Sequence, residues 1–234
     1  MPRKKTKHLF VTATDTDAGK TLVACAIVNI LTKARKVAVF KPISAGCDNV
    51  SGQLVNHDAL QLQQLANCNQ PLESVNPVAF EEPIAPHIAA QTLGQKINAV
   101  QVTDLFKSLD SFAPDVILTE GAGGWRLPLG GGQFLSDFAK QTEQHVILVV
   151  NMKLGCLNHA LLSYEAIKRD GLTVVGWVAN CIVPMDYQQE NITELSQYLD
   201  APLLGVVPNV ENAEQASKFL DKDLIEQIAS SHEE

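Results

Sequence analysis

The residues best suited to chemistry lie just past a series of short apolar runs. Residues 13–21, ATDTDAGKT, set a lysine and a hydroxyl directly behind a glycine. In such a turn, backbone N–H groups surround an anion and the helix that follows adds positive potential. Lys20 would then reach the β- and γ-phosphates of a nucleotide, and the Thr21 hydroxyl would ligate Mg2+. The full GxxxxGK[ST] pattern has glycine at position 14, where this chain has Thr14. The plain alternative is a helix start capped by Asp17, with Lys20 in solvent.

Mg2+ takes oxygen ligands, usually one or two carboxylates with phosphate oxygens and water. Glu120, followed by Gly121, Gly123 and Gly124, is the better candidate, and Asp58 is the second. Asp58 also suits a helix N-cap, and both roles can coexist. Lys41, in KPISAG, would neutralise an anionic acceptor and a transferring phosphoryl group; its plain alternative is an exposed surface lysine. His57, His87 and His159 share no metal-ligand spacing, and no Ser-His-Asp order stands out. Trp125 and Trp177 suit packing better than substrate contact.

These residues need elements to position them. Near-continuous branched apolar runs predict strands at residues 8–12, 37–40, 116–119, 146–150, 174–179 and 203–207, as in a parallel sheet covered on both faces. Helices are expected at 19–33, 58–66, 102–111, 158–169 and 188–199. The alternation predicts an α/β fold, a doubly wound, mostly parallel sheet with helices on both faces. Residues 1–234 read as a single domain. Pro71, Pro77, Pro83 and Pro86 mark 69–98 as a surface excursion, and residues 130–132 as a flexible glycine loop. Parallel strands end on one edge, where such folds bind ligands. The residue 13–21 loop, Lys41, Glu120, Asn151 with Lys153, and Asn180 therefore converge on one crevice.

Composition narrows the partners. The 234 residues are 46% hydrophobic and 19% charged, enough for a full core. A net charge of −8 opposes broad binding to nucleic acid or anionic membrane. No run reaches the roughly 18–20 apolar residues of a membrane span. The basic tail, residues 1–7, is not followed by the apolar core of a signal peptide. Five cysteines, odd in number and without a CxxC pair, read as free thiols. A cytoplasmic protein is expected.

The blocks TATDTDAGKT, KPISAG, HDALQLQ, VNPVAFEEPIAPHIAA, TEGAGGW, VVNMKLGCLNHALLS, GWVAN and APLLGVVP resemble, in order and spacing, the dethiobiotin synthetase family. The resemblance implies a P-loop NTPase fold and four small molecules: ATP, Mg2+, CO2 and 7,8-diaminononanoate. It also implies a homodimer. Ring closure would proceed through a carbamate and a carbamic-phosphoric mixed anhydride to dethiobiotin, ADP and phosphate. Thr16, Asp17, Ala18, Gly19, Lys20 and Thr21 would form the phosphate loop, with Thr16, Lys20 and Lys41 catalytic. Thr21, Asp58 and Glu120 would hold Mg2+. Lys41, Ser44, Ala45 and Gly123 would face the diamine. Gly155, Cys156 and Asn158 would receive its carboxylate tail at a helix N-terminus. Asn180, Pro208, Asn209 and Val210 would hold adenine.

Three positions depart from the family pattern: Ala13 replaces a loop glycine, Ala45 replaces a small hydroxyl residue, and Ile192 falls where some members carry a tyrosine. Ser44, one place earlier, is the available substitute for the missing hydroxyl. A partitioning-type P-loop ATPase would instead carry a further lysine near Thr14 and Asp15, and none is there. A GTPase would carry an NKxD motif, whereas Asn180 is followed by Cys181, Ile182 and Val183.

Overall fold

The computed structural model describes residues 5–230. Most of the basic tail, residues 1–4, and the acidic end, residues 231–234, lie outside the described residues. Six strands form the central sheet: β1 (Lys7–Ala13), β2 (Val37–Phe40), β3 (Val116–Glu120), β4 (His145–Asn151), β5 (Val174–Cys181) and β6 (Leu203–Pro208). Their order is β6-β5-β4-β1-β3-β2 and every pairing is parallel. All six lie where the apolar runs place them, with ends shifted by no more than two residues.

Successive strand side chains point to opposite faces, and both faces here are apolar. Leu9 and Val11 pack on one side with Val23, Ile27, Leu118 and Val149. Phe10 lies on the other with Phe40, Phe106, Phe138 and Trp177. Helices Lys20–Leu31, His57–Leu65, Ala213–Ser217 and Lys222–Ile228 bury residues in the first cluster. Helices Ala99–Ser108, Leu135–Gln141, Cys156–Arg169 and Gln188–Tyr198 bury theirs in the second. Helices therefore cover both faces, and the fold is a doubly wound parallel α/β sheet. No helix among the described residues is long and apolar enough to cross a membrane.

From β1 the chain crosses to β2 on one side, returns to β3, and then moves to β4 on the other side. That switch in direction opens a crevice beyond the C-terminal end of β1. Residues 69–98 do not simply run over the surface. Val75, Phe80, Ala89 and Ala90 are buried, and Val78 and Ala79 pair in parallel with Ile43 and Ser44. The segment straps the loop that carries Lys41.

Candidate functional site

Beyond β1 the chain turns through Thr14–Ala18 and enters the helix Lys20–Leu31 at Gly19. Gly19 has a φ of 82°, and no side chain caps this helix, so Asp17 is not its cap. A Cβ at Gly19 would lie 2.0 Å from Asn180 Nδ2. Glycine is therefore required twice, by the left-handed backbone and by the approach of Asn180. That asparagine, at the end of β5, donates from Nδ2 to the Ala18 carbonyl at 2.8 Å, while its Oδ1 is buried without a partner. Lys20 is 7% exposed and donates to the Asp15 carbonyl at 3.2 Å. Burial lowers its pKa, against the opposing charge of Glu120. Lys153, past β4, forms an ion pair with the Asp15 carboxylate and so braces the loop from a neighbouring strand.

The second cluster joins β2, β3 and two helix starts. Glu120 Oε1 accepts from the Thr21 hydroxyl at 2.8 Å and from Lys41 Nζ at 2.6 Å. Lys41 Nζ also donates to Asp58 Oδ2 at 3.1 Å. Lys41 is 4% exposed and Glu120 0%, so Lys41 is no surface lysine. Burial opposes its charge, but Glu120 and then Asp58 outweigh that, and its pKa is raised. Asp58 is not a helix cap: Asn56 fills that place, accepting from the Ala59 N–H. Burial, and then the Glu120 and Asp58 charges, push the nearby Cys25 thiol up to about 12, so it stays protonated.

Mg2+ fits this donor set. Two carboxylates and a hydroxyl meet its demand for hard oxygen ligands, with the rest of the shell left to phosphate and water. Glu120 Oε2 is buried and has no hydrogen-bond partner, a polar atom in need of a cation or donor.

A cleft of about 920 Å³ opens over both clusters. Thr16, Asp17, Gly19, Lys20 and Thr21 line it, as do Lys41, Ser44, Ala45, Asp58, Glu120 and Gly123. Pro83, Ile84, Ala85 and Pro86, from the strap, line it too. Ala18 is fully buried behind the loop. Gly155, Cys156 and Asn158 do not line the cleft. Gly155 and Asn158 are exposed, whereas the Cys156 side chain is buried and its N–H donates to the Lys153 carbonyl at 2.9 Å. Asn180, Pro208, Asn209 and Val210 also lie outside the lining, at the ends of the adjacent strands β5 and β6.

Ser44 does not offer a free hydroxyl. It is 3% exposed and donates to Asn76 Oδ1 at 2.7 Å. Asn76 Nδ2 in turn donates to the Lys41 carbonyl at 2.7 Å, and the Lys41 N–H donates to the Val75 carbonyl at 2.7 Å. The Ser44 hydroxyl thus helps fix the Lys41 backbone. Sequence reasoning missed Asn76, Asn56 and the pairing of Lys153 with Asp15. The NP and VN dipeptides around Asn76 carry a turn signal only, and nothing in the local sequence ties it to Lys41.

The chain is similar to known proteins in both sequence and fold. Residues 7–217 match the family described as AAA domain, AAA_26. The chain is 46% identical over 214 residues to the ATP-dependent dethiobiotin synthetase BioD of Alteromonas mediterranea, covering 86% of this chain and 92% of that one. Against the synthetase of the same name from Pseudoalteromonas translucida it is 42% identical over 225 residues, covering 95% and 98%. Among solved structures, the cell division ATPase MinD of Pyrococcus furiosus superposes with a TM-score of 0.59 at 16% identity, covering 96% of this chain and 98% of that one. A ParA family ATPase from Chlorobium tepidum gives 0.56 at 14% identity, covering 96% and 98%. At such identities the two ATPases share the fold, while the synthetases share the sequence along nearly its whole length: the chain belongs to the ATP-dependent dethiobiotin synthetase family.

Proposed function

We propose that this cleft carboxylates 7,8-diaminononanoate with CO2 and closes the cyclic urea of dethiobiotin, cleaving ATP to ADP and phosphate. The observation that carries the reading is the convergence of two buried lysines, Lys20 and Lys41, with Thr21, Asp58 and Glu120 at one cleft edge. That set neutralises and positions anions. No histidine among the described residues lines the cleft to act as a strong base.

The chemistry asks for those properties. One diamine nitrogen attacks CO2 and loses a proton, giving a carbamate. The carbamate is an anion and a poor electrophile. Transfer of the γ-phosphoryl group to its oxygen gives a mixed anhydride and ADP. The second nitrogen then attacks the carbonyl, closes the ring and expels phosphate. Each step gains mainly from positioning and charge neutralisation. Lys20, at the helix start, would accompany the β- and γ-phosphates, and Thr16 would support them from the loop. Lys41 would hold the carbamate beside the γ-phosphate. Ala45 and Gly123 leave room for the diamine. Mg2+, held by Thr21, Asp58 and Glu120, would supply charge neutralisation on the phosphates. Asn180 would accept from the exocyclic amine of adenine at its free Oδ1, with Pro208, Asn209 and Val210 beside the base.

Gly155, Cys156 and Asn158 open a helix away from this cleft, so in a homodimer the second copy would present that helix N-terminus to the carboxylate tail. Five free, buried thiols support a cytoplasmic setting. The test is an assay of the chain with diaminononanoate, ATP, Mg2+ and bicarbonate, with dethiobiotin identified by mass. Absence of product under conditions where ATP binds would remove the proposal.

A further inference from the structure

Lys41 bonds to both carboxylates of the proposed magnesium shell. Its ammonium is 2.6 Å from Glu120 Oε1 and 3.1 Å from Asp58 Oδ2. The Thr21 hydroxyl donates to the same Glu120 oxygen at 2.8 Å. Mg2+ binds its oxygens at about 2.0–2.1 Å. Glu120 Oε2 is free to receive an ion, but the ammonium beside it would repel that ion and compete with it for the same negative charge.

The ammonium cannot simply swing into water. Lys41 is 4% exposed and Glu120 0%, and a buried charge stripped of its partner is strongly destabilising. Lys41 therefore needs another anion to receive it. The cleft itself has little to offer. Its lining acids are Asp17, Asp58 and Glu120, and Asp17 is exposed to solvent. The Asp15 carboxylate is already paired with Lys153. A triphosphate seated on the loop at Gly19 and Lys20 would bring the missing negative charge into the same cleft.

We propose that Lys41 is the resident counter-cation of the metal carboxylates, exchanged for Mg2+ only when a nucleoside triphosphate gives its ammonium a new partner. The inference rests on the reading of Thr21, Asp58 and Glu120 as the magnesium shell. Its consequence is positive coupling between metal and triphosphate, carried by one side chain. The same exchange would deliver the Lys41 charge to the phosphoryl group at the moment of loading. Before a metal binds, the lysine keeps Glu120 compensated.

The test uses the full chain and Mn2+ as a paramagnetic probe, with free metal counted by electron paramagnetic resonance. Without nucleotide, Lys41→Met should bind Mn2+ at least tenfold more tightly than the parent, because its two carboxylates lack their ammonium. Adding Glu120→Gln to Lys41→Met should abolish the gain. Mn2+ should also raise the melting temperature of Lys41→Met more than that of the parent, a readout that works for a weakly folded variant. Lys41→Gln serves the same comparisons if the methionine variant does not fold. Unchanged metal affinity without nucleotide, a gain indifferent to Glu120→Gln, or no extra thermal rescue would each overturn the exchange. A separate arm checks the shell: with a non-hydrolysable ATP analogue bound to the parent chain, Glu120→Gln should weaken Mn2+. If it does not, the shell assignment fails; if it does while Lys41→Met gains nothing, the exchange alone fails.

Discussion

Ser44→Ala separates scaffolding from substrate contact beside Ala45, where this chain lacks the hydroxyl of the family pattern. The Ser44 Oγ lies 2.7 Å from Asn76 Oδ1 and 3.1 Å from Cys47 Sγ, in a side chain that is 3% exposed. Alanine would leave Asn76 Oδ1 buried without its donor. An orphaned polar group of this kind costs about 1–3 kcal/mol. For a domain of this size each kcal/mol lowers the melting temperature by about 2–4 °C. The variant should therefore melt about 2–12 °C lower, with the Michaelis constant for diaminononanoate changed by less than about threefold. Had the hydroxyl held an amine of the substrate, losing about 1.5–3 kcal/mol would raise that constant roughly ten- to over a hundredfold. Scanning fluorimetry and initial rates on one preparation distinguish the two. A Michaelis constant raised by about tenfold or more with an unmoved melt would refute the scaffolding account.

Lys20→Ala should lower turnover by about 10²–10³-fold or more with a near-parental melt; normal turnover would remove Lys20 from the mechanism. Glu120→Gln should raise the Mg2+ needed for half-maximal turnover by at least about tenfold. Asp58→Asn should act in the same direction but less, since its side chain is 40% exposed, and parental Mg2+ titrations for both would dissolve the proposed shell. At the opposite edge of the sheet, burial lowers the pKa of His8 and of His145. Protons then bind the unfolded chain more readily, so stability should fall as pH drops through about 6.5 towards the lowered folded values. Urea midpoints at about pH 7.5 and 5.5 measure the drop, which His145→Asn should reduce; a drop of parental size in that variant would rule His145 out as its source.

The sheet was legible because its runs are short, branched and apolar on both faces, a pattern that few other folds can bury. The convergence of Thr21 and Glu120 was legible for a related reason: both lie near strand ends, and parallel strands deliver their ends to one edge. Short elements left weaker marks. The helix Leu135–Gln141 has Phe134 at its N-cap, so no polar capping residue announces it. Asp58 was open to reading as a cap because the true cap, Asn56, lies only two residues away. The fate of the Ser44 hydroxyl depends on Asn76, 32 residues further on, and no local pattern encodes such a pairing. The prolines of residues 69–98 suggested an excursion. Their segment instead bonds to the Lys41 loop through backbone groups, which carry no side-chain signature. Likewise, a lysine after a strand says nothing of burial until its carboxylate partners are placed.

The central claim, that ATP cleavage here serves ring closure, is tested most directly by phosphate release in CO2-depleted buffer. The chain is given ATP and Mg2+ alone, then diaminononanoate, then diaminononanoate with bicarbonate. If the carbamate is the phosphoryl acceptor, phosphate appears only in the last mixture, in one-to-one ratio with dethiobiotin, and Lys41→Ala loses this coupled turnover more than it loses ATP binding. Brisk release without the diamine, unchanged when it is added, would contradict the account and return the site to the class of switch ATPases that share its fold.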